Sequence, residues 1–229
     1  MPVRQRQLVV MLKEPRPGRV KTRLARDIGS TAAAWWVRRQ TALLLRRLED
    51  PRWRLILAVA PDRAGLTSRC RSWPAHLPRI PQGEGDLGAR MGRLLRALPP
   101  GPVCIIGADV PGIGKPQVAR AFAALGTHEA VFGPALDGGY WLVGLKRVAA
   151  VPATLFAGVR WSSEQTLADS IASLPGRRIA LLERLSDVDT LADLRALRDA
   201  ARVRAGTGAD ADADAGAGVG ACGGDGGRA

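Results

Sequence analysis

Three observations predict an α/β fold built on a parallel sheet covered by helices. Val103-Cys104-Ile105-Ile106 is an unbroken apolar run that ends in Gly107, Asp109 and Pro111. A run of this kind, bounded by turn residues, reads as a strand buried on both faces. Leu8–Leu12 and Arg54–Ala60 repeat the pattern upstream. Stretches of helical spacing lie between them, from Ser30 to about Leu48 and from Asp86 to Leu98, and a third follows from about Pro116 to Leu125. In such sheets ligands bind beyond the carboxyl ends of the strands. Asp109 sits at such an end, where it can take a hard metal ion, cap the next helix or close a turn.

The 229 residues, 46% of them apolar, suit one α/β domain with a full core. No apolar run approaches the roughly 18 residues that span a bilayer, so no membrane is expected. Leu8–Leu12 is too short for a signal-peptide core. The three cysteines, Cys70, Cys104 and Cys222, have no metal-ligand spacing, so a reduced cytoplasmic setting is expected. The net charge of +13 is almost wholly arginine, since the only lysines are Lys13, Lys21, Lys115 and Lys146. These arginines are scattered and form no stripe with interleaved aromatics. That disfavours nucleic acid and fits a basic cleft for phosphorylated substrates.

Lys13 to Leu24 is a stiff loop with two prolines, Gly18 and six ionisable side chains, five of them basic. Fixed backbone N–H groups beside Lys21 and Arg23 suit phosphate, although the Walker spacing is absent. The alternative is a solvated basic turn. Trp35 and Trp36 fall in the Ser30–Leu48 helix and are expected in the core. Residues 61–80 show no periodicity. Gly83, Gly85 and Gly88 surround Asp86, which can cap a helix while the glycines admit a ligand to the backbone.

Asp137-Gly138-Gly139 lies between apolar runs and signals a hairpin, and with Tyr140 it also suits a wall for a flat ligand. Trp161 to Glu164 reads as a helix start, capped by Ser162 or Ser163, for a helix to Leu174. Arg178–Leu182 reads as a late strand. Asp187 and Asp189 point the same way if the backbone stays extended. Otherwise Asp189 or Thr190 caps a last helix to Val203. Residues 205–229 are almost wholly Ala, Gly and Asp, so a domain over 1–204 with a disordered tail is expected.

Five blocks in order carry a resemblance: Pro15–Leu24, Gly85–Met91, Ile106–Pro111, Gly133–Tyr140 and Asp187–Thr190. The chain resembles a bacterial family of glycosyltransferase-like proteins, often named nucleotide-diphosphosugar transferases, some associated with arsenosugar biosynthesis. Its Lys-Thr-Arg-Leu segment is more distantly similar to 2-phospholactate guanylyltransferases.

The resemblance implies the GT-A fold, a three-layer, mostly parallel sheet with helices on both faces. It implies Mg²⁺ or Mn²⁺ on Asp109, with Asp137 either as a second metal ligand and its closest acidic partner or as an acid at the acceptor site; Asp187 or Asp189 is a further candidate for the metal. Asp109 and Asp137 are the catalytic candidates. Lys13, Gly18, Lys21, Arg23, Gly85, Asp86 and Arg90 are the nucleotide and phosphate candidates, and Gly138, Gly139 and Tyr140 the substrate wall. The implied reaction moves a sugar from a nucleotide-diphosphosugar to a small-molecule acceptor. Nucleotidyl transfer from a nucleoside triphosphate, with release of pyrophosphate, is the alternative; a non-catalytic nucleotide-sugar binder is the third reading.

Overall fold

The apolar runs become strands because helices cover both faces of the sheet they form. The computed structural model describes residues 5–67, 70–200 and 202. Its elements in chain order are β1 (Gln7–Lys13), α1 (Thr22–Ile28), α2 (Ser30–Leu48), β2 (Arg54–Ala60), α3 (Asp62–Thr67), β3 (Arg79–Pro81) and α4 (Leu87–Ala97). There follow β4 (Val103–Gly107), α5 (Lys115–Thr127), β5 (Ala130–Pro134), β6 (Tyr140–Leu145), α6 (Thr166–Ala172) and β7 (Ile179–Leu181). Residues 191–200 are also helical.

The strands form one sheet in the order β3-β2-β1-β4-β6-β5-β7. All run parallel except β6, which is antiparallel to both β4 and β5. Alternate residues of each strand feed opposite cores. Leu8, Val10, Leu57, Val59 and Ile106 pack with Leu44, Leu45, Val118 and Phe122 of α2 and α5. Val9, Ile56 and Ile105 pack with Leu94 and Leu95 of α4 and with Phe156 and Leu174. Each such aliphatic side chain, once buried, stabilises the fold by about 1.5–3 kcal/mol. The expected three layers are therefore present.

Successive strands step outward from β1 to β3, and the chain then returns to the far side of β1 for β4. The strand order reverses between β1 and β4, so a crevice opens at their carboxyl ends. A third small cluster closes one side of it. Leu24 of α1, Val188 and Leu194 are buried together, with Trp36, Leu191 and Leu197 packed against them. This cluster brings the segment after β7 back to the middle of the sheet.

Four details depart from the sequence reading. Trp35 is 64% exposed, because the buried stripe of α2 runs through Ala33, Ala34, Thr41, Leu44, Leu45 and Leu48. Residues 61–80 contain α3 and the first part of β3, both too short to show a period. The helix expected from Trp161 begins only at Thr166. Ser162 adopts a left-handed φ of 58°, and the Ser163 hydroxyl donates to the Arg160 carbonyl (2.8 Å), so these residues build a turn. Neither is the helix cap, a position held by Gln165. The last expected helix and the tail over 205–229 extend beyond the described residues.

Candidate functional site

A cavity of about 760 Å³ opens at the reversal point. Residues from β1, the loop after it, α2, α4, β4, β6 and the segments around 161–166 and 187–189 line it. The loop after β1 is anchored by two buried residues, Val20 and Leu24. Between them Lys21 takes a left-handed backbone, φ 42° and ψ 54°. A non-glycine residue held in that region costs on the order of 1–3 kcal/mol and persists only where the surroundings fix it.

Here the surroundings are three carboxylates. Lys21 Nζ donates to Asp109 Oδ2 at 3.0 Å and to Asp189 Oδ1, and it lies 3.9 Å from Asp187 Oδ2. Its side chain is only 10% exposed. Burial pulls the Lys21 pKa down, but the charges and hydrogen bonds of Asp109 and Asp189 outweigh it, so the ammonium stands above its ordinary value. Asp187 is pushed up, by burial first and then by Asp189, with Asp109 and Asp137 adding to it and Lys21 opposing. Arg23 Nη1 reaches Asp189 Oδ2 at 3.4 Å from the exposed rim.

Asp109 caps no helix. Gly114 precedes α5, and the Gln117 side chain accepts from its N–H (3.0 Å). The Asp109 carbonyl accepts from Val188 N–H (3.3 Å), which ties the 187–189 segment to the end of β4. Val188 faces the third cluster, so Asp187 and Asp189 on either side of it both face Lys21, as an extended backbone requires. Thr190 takes the capping role instead: its hydroxyl accepts from Asp193 N–H (3.2 Å). Asp193 in turn accepts from the N–H groups of Asp189 (3.0 Å) and Thr190 (2.7 Å). The Asp189 carboxylate is thereby left for the cleft.

One oxygen each from Asp109, Asp187 and Asp189 lie within 4.8 Å of one another. Three hard oxygen donors around one point fit Mg²⁺ or Mn²⁺, and the Lys21 ammonium shows that a cation is accepted there. Asp137 is not one of the three, contrary to the expected pairing with Asp109. Its Oδ1 accepts from Gly139 N–H (2.9 Å), closing the β5–β6 turn, although it lines the same cavity.

The remaining predicted residues divide. Lys13, Lys21, Arg23, Gly139 and Tyr140 line the cavity; Gly18, Gly85, Asp86, Arg90 and Gly138 do not. Asp86 accepts from Ala89 N–H (2.7 Å) as the cap of α4, and Arg90 Nε donates to the Gly85 carbonyl (2.9 Å). Their neighbours Leu87 and Met91 reach the cavity instead. Gly138, at φ 83°, packs on the backbone of Glu164, where a Cβ would lie 2.3 Å from Glu164 Cα.

Sequence reasoning missed several lining residues. Trp36, Gln40 and Thr41 come from α2, and Trp161, Ser162 and Ser163 from the turn before α6. Gln82 is 5% exposed and donates to the carbonyls of Leu12 (3.0 Å) and Ala58 (2.9 Å), stitching the ends of β1 and β2. Nothing in the sequence marked it, because its burial is set by the meeting of the ends of β1 and β2.

Among the described residues no helix is long and apolar enough to cross a membrane. The family described as "Uncharacterized protein conserved in bacteria (DUF2064)" matches residues 43–163. No curated protein matches the chain. A protein from Desulfovibrio desulfuricans, described as a nucleotide-diphospho-sugar transferase, is 29% identical over 84% of this chain and 85% of its own, with a TM-score of 0.73. Rv0371c from Mycobacterium tuberculosis, in complex with manganese, is 18% identical over 84% and 97%, with a TM-score of 0.51. The 4-diphosphocytidyl-2C-methyl-D-erythritol synthase of Anaerococcus prevotii is 10% identical over 83% and 94%, with a TM-score of 0.54. The last two are likenesses of fold.

Proposed function

The chain belongs to that bacterial family, and we propose that it is a metal-dependent transferase that moves a sugar from a nucleotide-diphosphosugar to a small-molecule acceptor. One observation carries the reading. Asp109, at the end of β4 where the strand order reverses, shares one cationic point with Asp187 and Asp189. The likeness to the Desulfovibrio protein supports the same reading.

Asp109, Asp187 and Asp189 would hold Mg²⁺ or Mn²⁺, which when bound neutralises charge building on the diphosphate. Lys21 and Arg23 bind phosphate oxygens, the one as a point charge and the other as a planar fork. Lys13 adds positive charge at the cleft end of β1. Gly18, Gly85, Asp86 and Arg90 act at one remove, by shaping the loops that receive the nucleotide. In the transfer the bond from the sugar's anomeric carbon to the diphosphate breaks, and the acceptor oxygen bonds to that carbon and gives up its proton. Asp137 lines the same cavity, and its second oxygen accepts from the acceptor hydroxyl and takes that proton as the nucleoside diphosphate leaves with the bonding electron pair. Gly139 and Tyr140 form the wall beside it, with Gly138 behind them against the Glu164 backbone and Tyr140 held edge-on to Phe132 at 5.2 Å between ring centroids.

The test is product analysis. The protein is incubated with a panel of nucleotide-sugars and nucleoside triphosphates, each with Mn²⁺ and candidate acceptors. Release of a nucleoside diphosphate supports sugar transfer. Release of pyrophosphate overturns it in favour of nucleotidyl transfer, and tight binding without turnover across the panel makes the protein a nucleotide-sugar binder.

A further inference from the structure

The position of Lys21 carries a consequence for the order in which ligands load. Its ammonium occupies the middle of the triangle formed by Asp109, Asp187 and Asp189, whose oxygens lie within 4.8 Å of one another. An ammonium and a divalent ion cannot share so small a space, since like charges a few ångströms apart repel by several kcal/mol at protein-like dielectric. We propose that Lys21 and the metal compete for these three carboxylates, and that nucleotide phosphates draw Lys21 aside so that the metal can take its place.

The inference rests on the metal reading of the site and adds its regulation. Three features of this chain support it. The backbone of Lys21 is held beside the carboxylates by the buried residues Val20 and Leu24, while its flexible four-carbon stem lets the ammonium move to a phosphate. The carboxylates outnumber their cationic partners Lys21 and Arg23, so a further positive charge is favoured on the triad. The rim within reach carries Arg19 and Arg23, both exposed, which attract the phosphates that would receive Lys21. A site built this way binds metal weakly alone and firmly once phosphate is present.

The test compares Mn²⁺ binding, by calorimetry, in the parent chain and in Lys21→Met, which keeps the unbranched stem and removes the charge. With no nucleotide present, Lys21→Met should bind Mn²⁺ about tenfold more tightly than the parent, within the usual range of couplings between ligands. Adding a nucleoside diphosphate (ADP, CDP, GDP and UDP in turn) should tighten Mn²⁺ binding in the parent and do so much less in Lys21→Met.

If Lys21→Met melts early, Mn²⁺ alone should raise its melting temperature more than the parent's. A lysine that merely props the fold would give a variant that Mn²⁺ does not rescue. Asp109→Asn separates the two ways of failing. If that change abolishes Mn²⁺ binding while Lys21→Met binds no more tightly than the parent, the competition is overturned and the metal site stands. If neither parent nor Lys21→Met binds Mn²⁺ under any condition, both are overturned.

Discussion

Asp187-Val188-Asp189 and Asp137-Gly138-Gly139 are two short acidic segments on the same cleft, and they spend their carboxylates differently. In the first, Val188 is buried between Leu24 and Leu194, the backbone stays extended, and Thr190 with Asp193 caps the helix that follows. Nothing local claims Asp187 or Asp189, so both turn to Lys21. In the second, the chain reverses within a few residues, and Asp137 is drawn into the turn by Gly139 N–H. An acid becomes available for chemistry when other groups already satisfy the backbone around it. Proximity to the cleft is not enough.

The strongest way to break this comparison is an Asp→Asn change at the acid that the first segment joins, set against the same change in the second segment. Asp109→Asn keeps the shape and removes the charge, and it should lower turnover on the order of 10²-fold or more and abolish the mutual enhancement of Mn²⁺ and nucleotide. Steady-state rates and calorimetry with and without Mn²⁺ check this. An unchanged metal-dependent gain would remove Asp109 from the metal site.

The glycine of the second segment should matter next. Gly138→Ala puts a Cβ into the Glu164 backbone at positive φ, and overpacking of that kind costs roughly 1–3 kcal/mol. Urea unfolding measures it, and a loss below about 0.5 kcal/mol, the scatter of ordinary surface changes, would mean the turn is free to move. Arg23→Ala removes a charge-assisted contact worth roughly 1.5–3 kcal/mol, so nucleotide should bind about tenfold more weakly or worse. Unchanged affinity would return the loop after β1 to a solvated turn.

Asp137→Asn is the control for the first experiment. The amide oxygen can still accept from Gly139, so Mn²⁺ affinity should stay within about twofold while turnover falls through the acceptor side. A large loss of metal affinity would merge the two segments into one site.

The smallest effect concerns the support behind Gly138. Asp169 holds the 160–163 turn through Arg160, by its backbone N–H (3.0 Å) and its guanidinium (2.8 and 2.9 Å). The side-chain bonds to Arg160 come first among the causes that lower the Asp169 pKa from 3.8 to about 2. A depressed carboxylate gives stability that is present above 3.8 and lost as pH falls towards 2. Acid unfolding of Asp169→Asn should therefore be slightly flatter in that window. Superimposable curves would mean that solvent screens the pair completely.

The sheet and its helices were legible because burial on both faces leaves continuous apolar runs, and helical burial leaves a repeating stripe. Asp109 was legible because an acid directly after such a run can only lie at the sheet edge. The paired direction of Asp187 and Asp189 could be read from their spacing. Their meeting with Asp109 could not, because it depends on where Val188 finds a core, 85 residues after β4 starts at Val103. Lys21 was legible as a basic residue behind a rigid loop, but its left-handed turn was not, since lysine has no special tendency towards it. Trp36, Gln40 and Thr41 escaped for another reason. Helical periodicity tells which face is covered and says nothing of what covers it.

The separation along the chain between Lys21 and Asp189, 168 residues, sets when the site can exist at all. All seven strands are complete by Leu181, while two of the three acids lie beyond it, at 187 and 189. A ribosome therefore delivers every strand of the sheet before it delivers the acids that gather round Lys21. Until then Lys21 has Asp109 as its sole partner from the triad. The site is therefore completed only after the sheet, and a nascent chain that has built every strand still lacks two of its three acids.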